Sequence, residues 1–262
     1  KVLLTELFIE KREPVPLKTM PRYLTEALVA TEDRKFYRHS GVDLKGIARA
    51  IIKDIKAGEF VEGASTITQQ LAKTLFLTPR KTLVRKIKEA ILAFQLERRY
   101  TKDEILELYL NQVYFGSGAY GVESAAKIFF GKSVKDLNLA ECALVAGMPK
   151  SPSRYSPLVN PDLAIKRRNM VLRQMRDTAI ISESVYQQAV NAVLNTDGRR
   201  SSATKAPYFV EYVKSYLEDE LGSTRTYKSG LSVYTTLDFR LQQAAENAMT
   251  DGLAALSDRM AK

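Results

Sequence analysis

Apolar residues recur at helical spacing along most of the chain. Leu24, Ala27 and Leu28 share one face of a segment that Pro21 opens and that ends near Glu32. Proline suits a first helical turn, where its missing N–H has no intrahelical partner to lose. Asp43 is placed to cap a second helix with Leu44, Ile47, Ala48, Ile51, Ile52 and Ile55 on one side. Its other side carries Lys45, Arg49, Lys53 and Lys56. A third helix is predicted over residues 81–99, with Leu83, Ile87, Ile91 and Phe94 in register. Thr101 and Glu104 form a capping box for the next helix, which ends near the glycine-rich stretch 116–121. Asn160-Pro161 opens a basic helix running through Arg176. Beyond this point the texture changes. Residues 195–205 (NTDGRRSSATK) are polar and small and read as a linker or exposed loop. A helix near 208–221 follows, then a strand-like alternation over 230–236 (GLSVYTT), then helix again over 237–256. The pattern predicts a mainly α domain over residues 1–200 and the truncated start of a mixed α/β region over 201–262.

Composition adds one strong constraint. With 262 residues, 45% apolar and 27% charged, the chain can bury a core as one large or two modest domains. Its formal charge of +10 calls for an anionic partner: nucleic acid, lipid headgroups or a phosphorylated substrate. The single cysteine, Cys142, excludes a disulfide within the chain, and one cysteine with one histidine argues against structural zinc. No apolar run approaches the ~18–20 residues of a membrane span, and there is no signal peptide. The chain starts at Lys1, without an initiator methionine, inside a patterned segment. It reads as an excised fragment, so the lack of an anchor here says nothing about whether the parent protein is soluble.

Several stretches carry chemistry. In residues 32–43 (EDRKFYRHSGVD) two adjacent carboxylates, Glu32 and Asp33, end an apolar helix and meet aromatic and basic residues. Burial raises a carboxyl pKa and nearby cations lower it, so such a site can be tuned for proton transfer. Solvated charges at a helix end, with His39 as a hydrogen-bonding structural residue, are the alternative. Residues 63–73 (GASTITQQLAK) combine hydroxyls and amides at a helix start. They suit phosphate or sugar oxygens, or a simple cap. Residues 80–89 (RKTLVRKIKE) place Arg85, Lys86 and Glu89 on one helix face, as an ordinary ion-paired surface or as a pyrophosphate cradle beside an acid or metal ligand. Glycines 116, 118 and 121 among aromatics suggest a tight turn walling a cleft, and residues 148–157 (MPKSPSRYSP) form a proline-fixed loop with Lys150, Arg154 and Tyr155.

Taken in this order, these stretches closely resemble the five signature motifs of the family 51 glycosyltransferases. That family comprises the peptidoglycan polymerase domain of class A penicillin-binding proteins and its monofunctional relatives. The resemblance is dense over residues 20–160 and looser to about 200. It implies an all-α, lysozyme-like, two-lobed fold with one lobe at the membrane. It also implies polymerisation of lipid II into β-1,4-linked glycan strands, with inversion and release of undecaprenyl pyrophosphate. By position in the motifs, Glu32 is the general base toward the acceptor hydroxyl, and Glu89 assists departure of the leaving group or holds Mg²⁺ or another divalent cation. The same resemblance makes Asp33, Phe36, His39, Arg49, Ser65, Thr66, Gln69, Gln70, Lys73, Arg85, Lys86, Asn111, Phe115, Gly116, Lys150 and Tyr155 substrate contacts.

Further expectations follow from the family. The nascent glycan chain occupies the donor side, moenomycin-type inhibitors bind in its place, and the domain works on the periplasmic face of the cytoplasmic membrane. The basic helix near residues 43–57 then turns its apolar face to lipid, or alternatively to the core with its basic side solvated. The tail beyond Tyr208 resembles the linker toward a transpeptidase domain. Ser202-Ala203-Thr204-Lys205 satisfies the S-x-x-K pattern, but no S-x-N or K-T-G follows, and no penicillin binding is expected. A lysozyme-like hydrolase is the first alternative. It has no use for the cations around Glu89. A basic nucleic-acid-binding module is the second, and the chain carries no recognised motif for it.

Overall fold

The computed structural model describes residues 2–4, 12–43, 46, 65–77, 82–196 and 205–260. Apart from residues 43 and 46, the basic helix expected near 43–57, Arg49 included, lies outside the described residues, as do Ser202, Ala203 and Thr204. The chain divides into two compact units, one of Glu10–Ser201 and one of Lys1–Ile9 with Ser202–Lys262. Of the described residues before Arg12, 2–4 belong to the second of these units, where the Lys205 N–H donates to the Leu4 carbonyl (2.9 Å).

In the first unit α1 (Arg22–Glu32) buries Leu24, Ala27 and Leu28, the stripe visible in the sequence. It packs against α6 (Leu139–Gly147) and α7 (Pro161–Asp177). Helix α6 is buried from Ala140 to Gly147, with only small and aliphatic residues after Glu141. A helix apolar all round belongs in the middle of a core. Cys142 lies there, its thiol pushed up to about 12 chiefly by burial, which leaves it inert. Beside this layer α2 (Ile67–Phe76) packs on α3 (Leu83–Arg99) and α4 (Lys102–Gln112). Thr101 and Glu104 make the expected capping box at the start of α4. The segment before α1 is sewn to α4: the Val15 N–H donates to Asn111 Oδ1 (3.0 Å), Asn111 Nδ2 donates to the Val15 carbonyl (2.9 Å), and the Leu17 N–H donates to Glu107 (2.6 Å).

The glycine-rich stretch forms a short antiparallel pair, β1 (Tyr114–Gly116) and β2 (Ala119–Tyr120), leading into α5 (Val122–Phe130). Gly116 has φ +94°, and a Cβ there would lie 2.6 Å from the Pro152 carbonyl oxygen. The residue is therefore needed both for its backbone conformation and for the close approach of the 148–157 loop. Helix α8 (Glu183–Asn191) closes the unit. Arg168 of α7 fastens α8 by donating to the Val190 and Ala192 carbonyls (2.7 and 2.8 Å), groups left open at a helix C-terminus.

Helix α3 stands where the periodicity predicts it, and its burial divides it into two faces. Ile87, Ile91 and Phe94 are more than half exposed, whereas Glu89, Ala93 and Leu96 point inward. The apolar residues in helical register on α3 lie on the outside because the inward face is the one that carries Glu89. In the second unit α9 (Pro207–Lys228) breaks at Gly222 (φ +75°, ψ +154°), and α10 (Phe239–Met260) follows. The strand expected over 230–236 is corrected: residues 230–238 have no regular secondary structure. Period-two alternation makes a strand only beside a partner, and no strand is present in this unit among the described residues.

Leu28 is fully buried between α1 and its neighbours. Leu28→Ala is expected to cost about 2–5 kcal/mol of unfolding free energy, read as a lowered denaturant midpoint with an unchanged slope.

Candidate active site

The end of α1 and the start of α2 are joined through the side chain after Glu32. Asp33 accepts from the first-turn N–H of Ile67 (3.1 Å) and from His39 Nε2 (2.9 Å). His39 Nδ1 in turn accepts from the Gly41 N–H (3.1 Å), which assigns the ring proton to Nε2, where Asp33 takes it. The Gly41 carbonyl receives the Thr66 hydroxyl (2.6 Å), and Thr66 with Gln69 forms a capping box on α2. Gly41 (φ +92°) also lies against the backbone of Ala93 in α3, where a Cβ would approach to 2.9 Å. One loop therefore sets α1, α2 and α3 with respect to each other.

These helices open a cleft of about 210 Å³ lined by Glu32, Ser65, Gln70, Lys73, Lys86, Glu89, Pro149 and Lys150. Glu32 Oε2 accepts from Gln70 Nε2 (3.0 Å), and Gln70 Oε1 accepts from the Tyr109 hydroxyl (3.0 Å). Behind Glu32, Arg167 Nη2 lies 3.7 Å from Oε1. Glu89 is almost fully buried; Lys86 donates to its Oε2 (2.6 Å) and to Ser65 Oγ (2.8 Å), while Arg85 Nε sits 3.3 Å from Oε1. Lys73 is held below the usual lysine range, first by burial and then by the positive charges of Lys86 and Arg85, against the opposing pull of Glu89 and Glu32. Burial and the charge of Glu32 push the Tyr109 phenol well above its usual range, so it stays a neutral donor.

The structure gathers Glu32, Ser65, Gln70, Lys73, Arg85, Lys86, Glu89 and Lys150 at or around this cleft. It gives other expected contacts different work. Phe36 and Phe115 are fully buried in the core, Phe36 edge-on to Tyr37 and beneath the Lys102 ammonium at 4.6 Å, and are corrected from substrate contacts to packing residues. Asp33, His39, Thr66 and Gln69 spend their polar atoms on the loop and cap just described, and Asn111 spends its amide on Val15. Gly116 shapes the backbone, and Tyr155 lies under the Arg167 guanidinium at 5.5 Å. Two residues at the site are not among those the sequence singles out: Arg167, outside the five stretches, and Tyr109, at the start of the glycine-rich one. Their signal is position, since both lie on otherwise apolar helix faces, Arg167 beside Ala164 and Val171, Tyr109 beside Ile105 and Leu106.

The donor set does not fit a metal held by the protein. Glu32 and Glu89 are the carboxylates of the cleft, and both oxygens of Glu89 face cations. Among the described residues no group of three acidic, histidine or cysteine side chains could hold an ion. What the arrangement offers is one carboxylate facing a cluster of ammonium and guanidinium groups, which suits an anion carrying a phosphate or pyrophosphate.

The burial of Lys73, among other cations, has a consequence for stability. The folded chain holds the Lys73 proton less tightly than the unfolded chain does, so stability gains as pH rises toward the ordinary lysine range. Lys73→Met is expected to melt no lower than the parent at neutral pH, and to lack that gain when melting is followed from pH 7 to 10.

Comparison with known proteins places this geometry. The Transglycosylase family matches residues 2–176. Penicillin-binding protein 1A of Aquifex aeolicus is 47% identical over 245 residues, covering 94% of this chain and 34% of that protein. Penicillin-binding protein 2D of Bacillus subtilis is 46% identical over 253 residues, covering 95% and 37%. The chain thus spans roughly a third of these relatives. The crystal structure of penicillin-binding protein 1A from Haemophilus influenzae superposes with a TM-score of 0.59 at 28% identity, over 94% of this chain and 27% of that one. The mainly α, lysozyme-like architecture agrees with that likeness. The chain belongs to the transglycosylase family and is a glycosyltransferase domain.

Proposed function

We propose that this domain polymerises lipid II, adding disaccharide units to a glycan strand through β-1,4 links with inversion and release of undecaprenyl pyrophosphate. The observation that carries the reading is a single cleft holding Glu32 opposite Lys73, Lys86 and Lys150. A sugar hydroxyl is a poor nucleophile and needs its proton removed as it attacks, which is the task of Glu32. Pyrophosphate leaves as an anion and needs charge neutralisation more than a proton. Lys73, Lys86 and Arg85 provide it, and Glu89 holds the last two in place. Ser65 and Gln70 add uncharged contacts for sugar or phosphate oxygens. A glycan hydrolase would gain nothing from such a cluster of cations beside a neutral link. Lipid-sugar inhibitors of the moenomycin class, which imitate the donor, fit the same cleft by this logic.

The substrate carries a lipid tail, so the domain must meet a bilayer. No helix among the described residues is long and apolar enough to cross one. Support for surface contact comes from Val84, Ile87, Ile91 and Phe94, an exposed apolar row on the side of α3 opposite Glu89, with Leu75 and Phe76 also exposed on α2. With the net charge of +10, such a row suits an anionic membrane interface, placed by this reading on the periplasmic face of the cytoplasmic membrane.

Two outcomes are expected. With labelled lipid II in detergent, the parent chain builds long glycan products and Glu32→Gln slows polymerisation by about 10²–10⁴-fold; equal rates would remove the base assignment. In flotation with anionic vesicles, Ile87→Ser with Ile91→Ser shifts the chain toward the unbound fraction, and undiminished flotation would send the membrane contact elsewhere.

A further inference from the structure

The two carboxylates of the cleft are held in different ways. Glu89 is flanked by two cations from its own helix, at the spacings any solvated helix can provide. Glu32 is flanked by residues of two other helices, Gln70 on α2 and Arg167 on α7. Arg167 is 5% exposed, unusual for a guanidinium, and every contact it makes is internal. Its Nε donates to the Gly147 carbonyl at the end of α6 (2.9 Å), its Nη1 meets Met170 Sδ (3.3 Å), and its plane lies near the Tyr155 ring. Only Nη2 is directed at Glu32. Gly147 is small where this happens: a Cβ there would sit 3.0 Å from Arg167 Cγ.

We infer that Arg167 is a positioning residue for the reaction, holding the Glu32 carboxylate at the angle at which it takes the acceptor proton. The inference rests on the proposed role of Glu32 as base. Burying a guanidinium is costly without an anionic partner, and Glu32 is the acidic group within reach. The contact is long, 3.7 Å, and single. A bidentate pair would engage both oxygens and blunt the base, whereas this geometry attracts the carboxylate and leaves its lone pairs for the incoming hydroxyl. Gln70, itself fixed by Tyr109, takes Oε2 from the other side. The carboxylate is thus held between a buried cation and a neutral amide, each belonging to a helix that does not carry it.

The test compares Arg167→Met and Arg167→Lys with the parent by lipid II polymerisation kinetics in detergent, by thermal melting, and by crystal structures of both variants. Arg167→Met is expected to lower kcat on the order of 10²-fold, the scale of a misplaced reacting group, while KM stays within about threefold. Arg167→Lys, which keeps the charge, recovers at least about tenfold of that loss at an unchanged melting temperature. In the crystal Glu32 of Arg167→Met turns away from its parent position. An unchanged kcat, a loss confined to KM, no recovery with lysine, or a Glu32 carboxylate that stays in place would overturn the inference. A parent chain that makes no polymer would sink the proposed reaction instead, and the position of Glu32 in the Arg167→Met crystal would still decide whether Arg167 holds it.

Discussion

Asp33 links the parts of the site that the chain keeps far apart. Its carboxylate receives the Ile67 N–H at the start of α2 and the His39 ring at the far side of the loop. That ring fixes Gly41, Gly41 receives Thr66, and Thr66 caps the helix on which Gln70 and Lys73 stand. A hydrogen bond to a carboxylate is stronger than one to a neutral acceptor, and here it is buried, so breaking it would leave polar atoms without partners. The residue next to the proposed base therefore does the structural work that keeps the base opposite its cations. Substitution at Asp33 would disturb the site through α2 rather than through lost substrate contact.

The cations themselves are arranged against stability. Lys73 stands beside Lys86 and Arg85, and Glu89 is the buried charge that makes their company tolerable. Such a cluster has a use when an anion arrives and offsets the repulsion. If a pyrophosphate binds there, as proposed, part of its binding energy is relief of that repulsion.

Much of this was legible in the sequence where the determinants are local. The Thr101–Glu104 box, the Leu24–Leu28 stripe and the Arg85–Lys86–Glu89 face each depend on residues within about one turn, and each stands as expected. The cap formed by Thr66 and Gln69 was also local, but the same polar run supplies Gln70 to the cleft, so the competing readings divide it between them. What the sequence hides is direction. The register of Ile87, Ile91 and Phe94 does not say which way they face until the tertiary fold turns Glu89 inward, and residues 230–236 look like a strand, though the described residues of their unit offer no partner strand. Phe36 and Phe115 sit in signature stretches yet serve packing, and Arg167 sits in an amphipathic helix yet reaches Glu32. Each of these depends on contacts between distant segments, which no local pattern encodes.

The two faces of α3 also set a length. Glu89 looks into the cleft, and Ile87, Ile91 and Phe94 look the opposite way. A helix with its side chains is about 10–12 Å across. If the outer face rests on the bilayer, as proposed, the chemistry stands one helix thickness above the lipid. A substrate then lifts its phosphates by that height while its tail stays dissolved below. The helix acts as a ruler, and thickening its outer face with bulkier side chains would raise the reaction plane away from the headgroups.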